Sequence, residues 1–181
     1  MQARFIMTAF GEDRPGIVAD VTGILYDHGC NLEETAMTML AEEFTLNLLF
    51  SSGDPQVGDA LQRACRRLEQ EKGITAFVKS LRERRMPDRS DFSDLTLHVE
   101  GLDQAGIVYR ISRFLADHGI NVVDLKSQVR ESPESGTNLY LMDIHLQVPP
   151  ETVMEKIEDG LRSVSDELHV DISLIRTSVA S

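Results

Sequence analysis

Residues 11–31 read GEDRPGIVADVTGILYDHGCN, and residues 101–121 read GLDQAGIVYRISRFLADHGIN. Set side by side at an offset of 90, the two stretches agree at ten of 21 positions, with Gly11, Asp13, Gly16, Leu25, His28, Gly29 and Asn31 among those that recur. Self-similarity at a fixed offset marks a chain built from copies of one unit. In the first copy Ile17, Val18, Val21, Ile24 and Leu25 fall at helical spacing, as do Ile107, Val108, Ile111, Phe114 and Leu115 in the second, so each helix is expected to lay one apolar stripe on a sheet. Gly29 and Gly119 stop these helices in the left-handed conformation that a β-carbon disfavours. His28 and His118 stand at the negative end of the helix dipole.

Working outward, Phe5 to Phe10 and Leu95 to Glu100 alternate in the manner of short strands ahead of each helix. After Asn31 and Asn121 come two hairpins: residues 32–40 with 44–50, and residues 122–130 with 138–148. The first is joined by Ala41, Glu42 and Glu43, the second by the longer ESPESGT at 131–137. A second helix follows in each copy, with Val57, Leu61, Ala64 and Leu68 inward in one and Val153, Ile157, Leu161, Val164 and Leu168 in the other. Pro55, Pro149 and Pro150 mark the starts of these helices, and residues 74–81 and 170–176 read as closing strands. The order βαββαβ, met twice, predicts an α+β fold of two tandem ferredoxin-like domains, each a four-stranded antiparallel sheet with two helices on one face. The expected bounds are 1–82 and 94–181 with a linker at 83–93. One face of each sheet is left to be covered, and a homodimer is the expectation.

Composition excludes several classes of function. Hydrophobic residues make up 41% of the 181 and charged residues 27%, as in globular chains. Eighteen basic against 30 acidic residues give a net charge of −12, which repels phosphate backbones and anionic membrane surfaces. The cluster Arg82, Arg84, Arg85 and Arg89 is interleaved with acids and reads as a solvated linker. A βαββαβ sheet also serves as an RNA-binding module, yet aromatics are only 6% of the chain and no RNP-like motif occurs. Cys30 and Cys65 lack metal-ligand or redox-pair spacing, so no metal and a reduced compartment are expected. With no apolar run long enough for a signal peptide or a spanning helix, the expected location is cytoplasmic. Neither a nucleophile with its base nor a carboxylate pair is discernible, so the expectation is a non-enzyme without a cofactor.

The run D-R-P-G-I-V-A-D-V-T-G-I-L-Y-D-H-G-C-N at 13–31, echoed as D-Q-A-G-I-V and D-H-G-I-N in the second copy, resembles the ACT domain. With S-G-T-N-L-Y at 135–140, the tandem pair is most similar to the glycine cleavage system transcriptional repressor family. That resemblance implies a small amino-acid effector, glycine in the repressor family, held at an interface between domains. It also implies a protein partner, a DNA-binding transcriptional activator, through which transcription is controlled indirectly. An accessory subunit regulating an enzyme of amino-acid metabolism is the alternative. By resemblance, Asp13, Asn31, Asp103 and Asn121 carry over as ligand contacts.

The residues support the same niche on their own chemistry. The backbone of Arg14, Pro15, Gly16 and Ile17, and that of Gln104 to Gly106 and Ile107, lies where a helix N-terminus favours an anion. Gly16 and Gly106 leave room for a ligand to approach the backbone, and Asn31 and Asn121 each offer a donor and an acceptor. Structural readings stand beside these. Asp13 and Asp103 sit at the distance of an N-cap, Gly11 and Gly101 suit turns, and the asparagines can tie down the helix-to-strand turn. Met37 and Met39 suit a sheet face or an interface better than a metal. Gln104 and Ala105 replace Arg14 and Pro15 in the second copy, which favours the first site.

Overall fold

The computed structural model describes residues 2–81, 91–131 and 136–176. The Arg82–Arg89 cluster, most of the expected linker and much of the 131–137 loop lie outside the described residues. The chain divides into two compact units, Met1–Arg85 and Met86–Ser181.

In unit 1 the elements are β1 (Ala3–Glu12), α1 (Ile17–Asp27), β2 (Asn31–Leu40), β3 (Glu43–Ser52), α2 (Val57–Lys72) and β4 (Thr75–Leu81). Unit 2 repeats the order with β5 (Ser93–Leu102), α3 (Ile107–Asp117), β6 (Asn121–Glu131), β7 (Asn138–Val148), α4 (Met154–Leu168) and β8 (Val170–Arg176). Both sheets are four-stranded and antiparallel, in the orders β2-β3-β1-β4 and β6-β7-β5-β8.

Alternation along the central strands sets the layers. Phe5, Met7 and Ala9 of β1 and Phe44, Leu46, Leu48 and Phe50 of β3 form one core with Ile17, Val21 and Leu25 of α1 and Val57, Leu61 and Leu68 of α2. Leu95, Leu97 and Val99 of β5 do the same in unit 2 with Ile107, Ile111, Leu115, Ile157 and Leu161. Each of these side chains larger than alanine contributes roughly 1.5–3 kcal/mol on leaving water.

The helical stripes are narrower than the spacing suggests. Val18 and Val108 are 40% and 39% exposed, because a residue one step from Ile17 or Ile107 has turned about 100° off the buried line. Val153 is 53% exposed, since it precedes α4 with an extended backbone and so stands outside the helical lattice. Phe114 packs on α4, where a β-carbon at Gly160 would run into its ring.

The sheet faces opposite the helices differ in kind. By register, Ile6 and Leu49 share that face in unit 1 with the exposed rings of Phe10 and Phe77. The matching face of unit 2 carries Thr96, His98, Asp143 and His145, with His98 bonded to Asp143 and Thr96 Oγ1 3.0 Å from His145 Nδ1.

Candidate functional site

The turn before α1 is built on Gly16, which takes φ 89° as the N-cap residue; Gly106 takes φ 100° before α3. Neither helix has a side-chain cap bond at this end. The expected capping by Asp13 and Asp103 is therefore corrected: each lies three residues ahead of the N-cap glycine, and neither side chain bonds the first helical amides. Their backbones anchor the turn instead. The Asp13 amide donates to the Glu42 carbonyl at 3.0 Å and the Asp103 amide to that of Asn138 at 3.2 Å, while both side chains are exposed. Within the turn, the Ile17 amide donates to the Arg14 carbonyl at 3.3 Å, and Pro15 has no amide to offer.

Arg14 is engaged by its own helix. Its Nη2 lies 2.5 Å from Asp20 Oδ2, and Lys72 Nζ at the end of α2 lies 3.9 Å from Asp20 Oδ1. The Arg14 hydrogen bond holds the Asp20 carboxyl below the usual aspartate range against the opposing effect of burial, and the Lys72 charge adds to it. Unit 2 keeps the geometry and inverts the charges. Arg110, at the position of Asp20, bonds Glu167 near the end of α4, and Gln104, at the position of Arg14, donates to the Leu168 carbonyl. In both units a clamp thus ties the turn and the first helix to the C-terminal end of the second helix.

Gly11 and Gly101 lie inside β1 and β5, not in a ligand turn. A β-carbon on Gly101 would stand 2.6 Å from Val170 Cγ1, and one on Gly11 would stand 3.2 Å from the Gly73 carbonyl. Their small size serves the close approach of the neighbouring strand's start.

Asn31 and Asn121 begin β2 and β6, opposite Ser51 and Gln147. Glu12, beside the turn, is opposite Glu43. Eight residues of β3 therefore separate the two ends, roughly 27 Å at the rise of an extended strand. Within one unit the structure gathers Asp13, Arg14, Pro15, Gly16 and Ile17 at one end of the sheet and places Asn31 at the other. Asp103, Gly106, Ile107 and Asn121 are divided the same way.

Two features near the asparagines escape a reading of the sequence. A β-bulge follows each one, between Leu32 and Glu34 and between Val122 and Asp124. At the first bulge Glu33 reaches Arg4 of β1 at 2.7 Å. The nearby Ser51 hydroxyl and then Arg4 hold the Glu33 carboxyl below its usual range. Ser51 acts by proximity, since among the described residues its buried hydroxyl completes no hydrogen bond of ordinary geometry. At the far end of α1, His28 Nδ1 donates to the Ile24 carbonyl at 2.8 Å, and His118 repeats this with Phe114, which makes both histidines cap residues.

Among the described residues, no group of three His, Cys, Asp or Glu side chains is placed to hold a metal, and no helix is long and apolar enough to cross a membrane.

Two βαββαβ units, each with a glycine-led turn at the end of its first strand, invite comparison with known proteins, and residues 3–79 match the ACT domain. The chain belongs to the ACT-domain family. Over 173 residues it is 24% identical to the glycine cleavage system transcriptional repressor of Escherichia coli, covering 96% of this chain and 90% of that one. One ACT module's length, 78 residues, is 33% identical to a UPF0237 protein of Methanopyrus kandleri, 86% of which is covered. Among solved structures, a protein of unknown function from Galdieria sulphuraria superposes with a TM-score of 0.79 at 28% identity, covering 98% of this chain and all of the other. Both units share the ACT-like ferredoxin fold, and the ACT match together with the full-length likeness to a repressor supports a regulatory role.

Proposed function

We propose that this tandem ACT protein is a non-catalytic, cytoplasmic regulator that senses a small amino acid, glycine before others, and controls transcription through a DNA-binding protein partner. The observation that carries this reading is the twice-built helix N-terminus with a left-handed glycine and no side chain of its own in the capping position. A ligand carboxylate is the group whose charge and hydrogen-bond demand suit such an end. Because Asn31 stands roughly 27 Å from the Asp13 turn along the sheet, each half-site takes its remaining contacts from outside its own unit, and the working form is a homodimer. A ligand seated there stabilises one arrangement of modules by its differential affinity, and the partner reads that arrangement.

A thermal-shift screen of the twenty amino acids tests this directly. Ligand at 100 times its dissociation constant adds about 2.7 kcal/mol to the form that binds it. For a unit of this size the melting temperature then rises on the order of 10 °C. Asp13→Ala and Asn31→Ala are expected to abolish the rise while leaving the unliganded melt in place. No response to any amino acid, together with flat titration calorimetry, refutes sensing. Recovery of a biosynthetic enzyme, in place of a DNA-binding regulator, as the specific partner moves the output from transcription to metabolism.

A further inference from the structure

The outward faces of the second helices carry opposite charge in the two units. Helix α2 holds four basic residues against three acidic ones, a net of +1, whereas α4 holds two against five, a net of −3. Three of the four are Arg63, Arg66 and Arg67, which with His28, Ala60 and Gln70 line an open groove of about 610 Å³ beside the end of α1. Spacings of three and four residues put these guanidinium groups on one helical face, where like charges repel. Asp59 and Glu71 lie one turn from Arg63 and Arg67, yet among the described residues none of the three arginines enters a salt bridge or a side-chain hydrogen bond. On α4, Asp159 is paired with Arg162 and Glu167 with Arg110. Glu155, Glu158 and Asp166 are exposed and, among the described residues, unpaired.

A chain of net charge −12 resists association with any acidic body, its own copies included. The imbalance is uneven: residues 1–85 hold ten basic and 13 acidic side chains, residues 86–181 eight and 17. Contact between copies is least opposed where a basic stripe on one meets an acidic helix on the other. Arginine forks on carboxylates also make the stronger, charge-assisted bonds. We propose that the Arg63–Arg66–Arg67 stripe of α2 docks on the acidic outer face of α4 of a second copy, a surface assignment that rests on the homodimer reading above. Each copy presents one α2 and one α4, so in a twofold dimer the same contact is made twice. A nucleic acid fits this groove less well, since its continuous charge would meet the repulsive field along its whole length.

Sedimentation velocity on the full chain and two charge-reversed variants tests the assignment. Variant one is Arg63→Glu/Arg66→Glu/Arg67→Glu; variant two is Glu155→Lys/Glu158→Lys/Asp166→Lys. All six positions are exposed, and circular dichroism checks that both variants keep their helices. Wild type is expected to be a dimer, and each variant to dissociate with a constant raised at least about tenfold, or about 1.4 kcal/mol. Variant two lowers the net negative charge, so a purely non-specific effect would strengthen its association. Mixing the two variants is expected to restore a dimer, because each then offers the sign that the other lacks. A wild-type monomer at the highest concentration overturns both this surface and the homodimer. A wild-type dimer whose variants still dimerise unchanged, or whose variants fail to pair on mixing, overturns the surface alone. Tight, salt-sensitive binding of a single-stranded oligonucleotide that variant one loses, without any change in oligomeric state, assigns the stripe to nucleic acid and overturns the proposal.

Discussion

Gly16→Ala separates the two reasons for a glycine in the turn before α1: backbone conformation and room for a ligand. Gly16 has φ 89°, and a β-carbon there meets no atom within 4 Å, so no steric clash enters. What remains is the left-handed backbone, which costs a residue with a β-carbon about 1–2 kcal/mol. Alanine offsets part of this, since it restricts the unfolded chain by about 0.4–1 kcal/mol relative to glycine. The expected net loss is about 1 kcal/mol, read as a lower urea midpoint at unchanged slope and a melting temperature of unit 1 lower by roughly 4–8 °C. Gly106→Ala, at φ 100° and equally open, should lose as much from unit 2. Asparagine tolerates the left-handed region better than alanine, so Gly16→Asn is expected to recover part of the loss. A Gly16→Ala protein as stable as wild type, or an asparagine variant as damaged as the alanine one, refutes the conformational argument. Loss of amino-acid binding in Gly16→Asn at retained stability would return the glycine to the ligand.

Gly101→Ala drives a methyl into Val170 and is expected to cost about 1–3 kcal/mol by urea unfolding, with Val170→Ala restoring part of it; Gly11→Ala, whose methyl comes no nearer than 3.2 Å, to the Gly73 carbonyl, should cost less. The Asp20 carboxyl is held below its unfolded value chiefly by Arg14, so its contribution is present above about pH 4 and is lost as the pH falls through the lower folded value. Asp20→Asn should accordingly flatten the acid limb of the stability profile of unit 1, and an unchanged acid midpoint would refute the clamp. Burial raises both thiols, Cys65 in the core and Cys30 at its edge, so iodoacetamide at neutral pH should modify them slowly in the folded chain and quickly in urea.

The order of elements was legible because the duplication supplied two independent copies of each periodic stripe, and an assignment weak in one copy was supported by the other. Strand ends were less legible: β1 and β5 extend two residues beyond the alternation on each side, since backbone pairing with β3 and β7 continues where the side chains cease to alternate. The candidate site was legible only as a set of positions. Asp13 and Asn31 are 18 residues apart in sequence and flank one helix, which suggests a shared niche. The antiparallel register, visible only in three dimensions, sends them to opposite ends of the sheet. The two bulges were equally hidden, because no glycine or proline marks them and only the pairing reveals the extra residue.

Where the units diverge in the clamp, both touching charges have changed together, which argues that the clamp between the first helix and the end of the second is a constraint on both copies. Asp20 faces Lys72 in one unit and Arg110 faces Glu167 in the other, so either partner changed alone would set like charges together. Arg110→Asp is therefore expected to destabilise unit 2 more than Arg110→Ala does, and Arg110→Asp with Glu167→Lys to recover what the single change loses. Salt should narrow the gap between the two single variants, since the partners are solvent-exposed and their repulsion is screened. A gap that persists in molar salt would mean that the loss comes from packing of the Arg110 stem, and the charge inversion between the copies would then need a cause other than pairing.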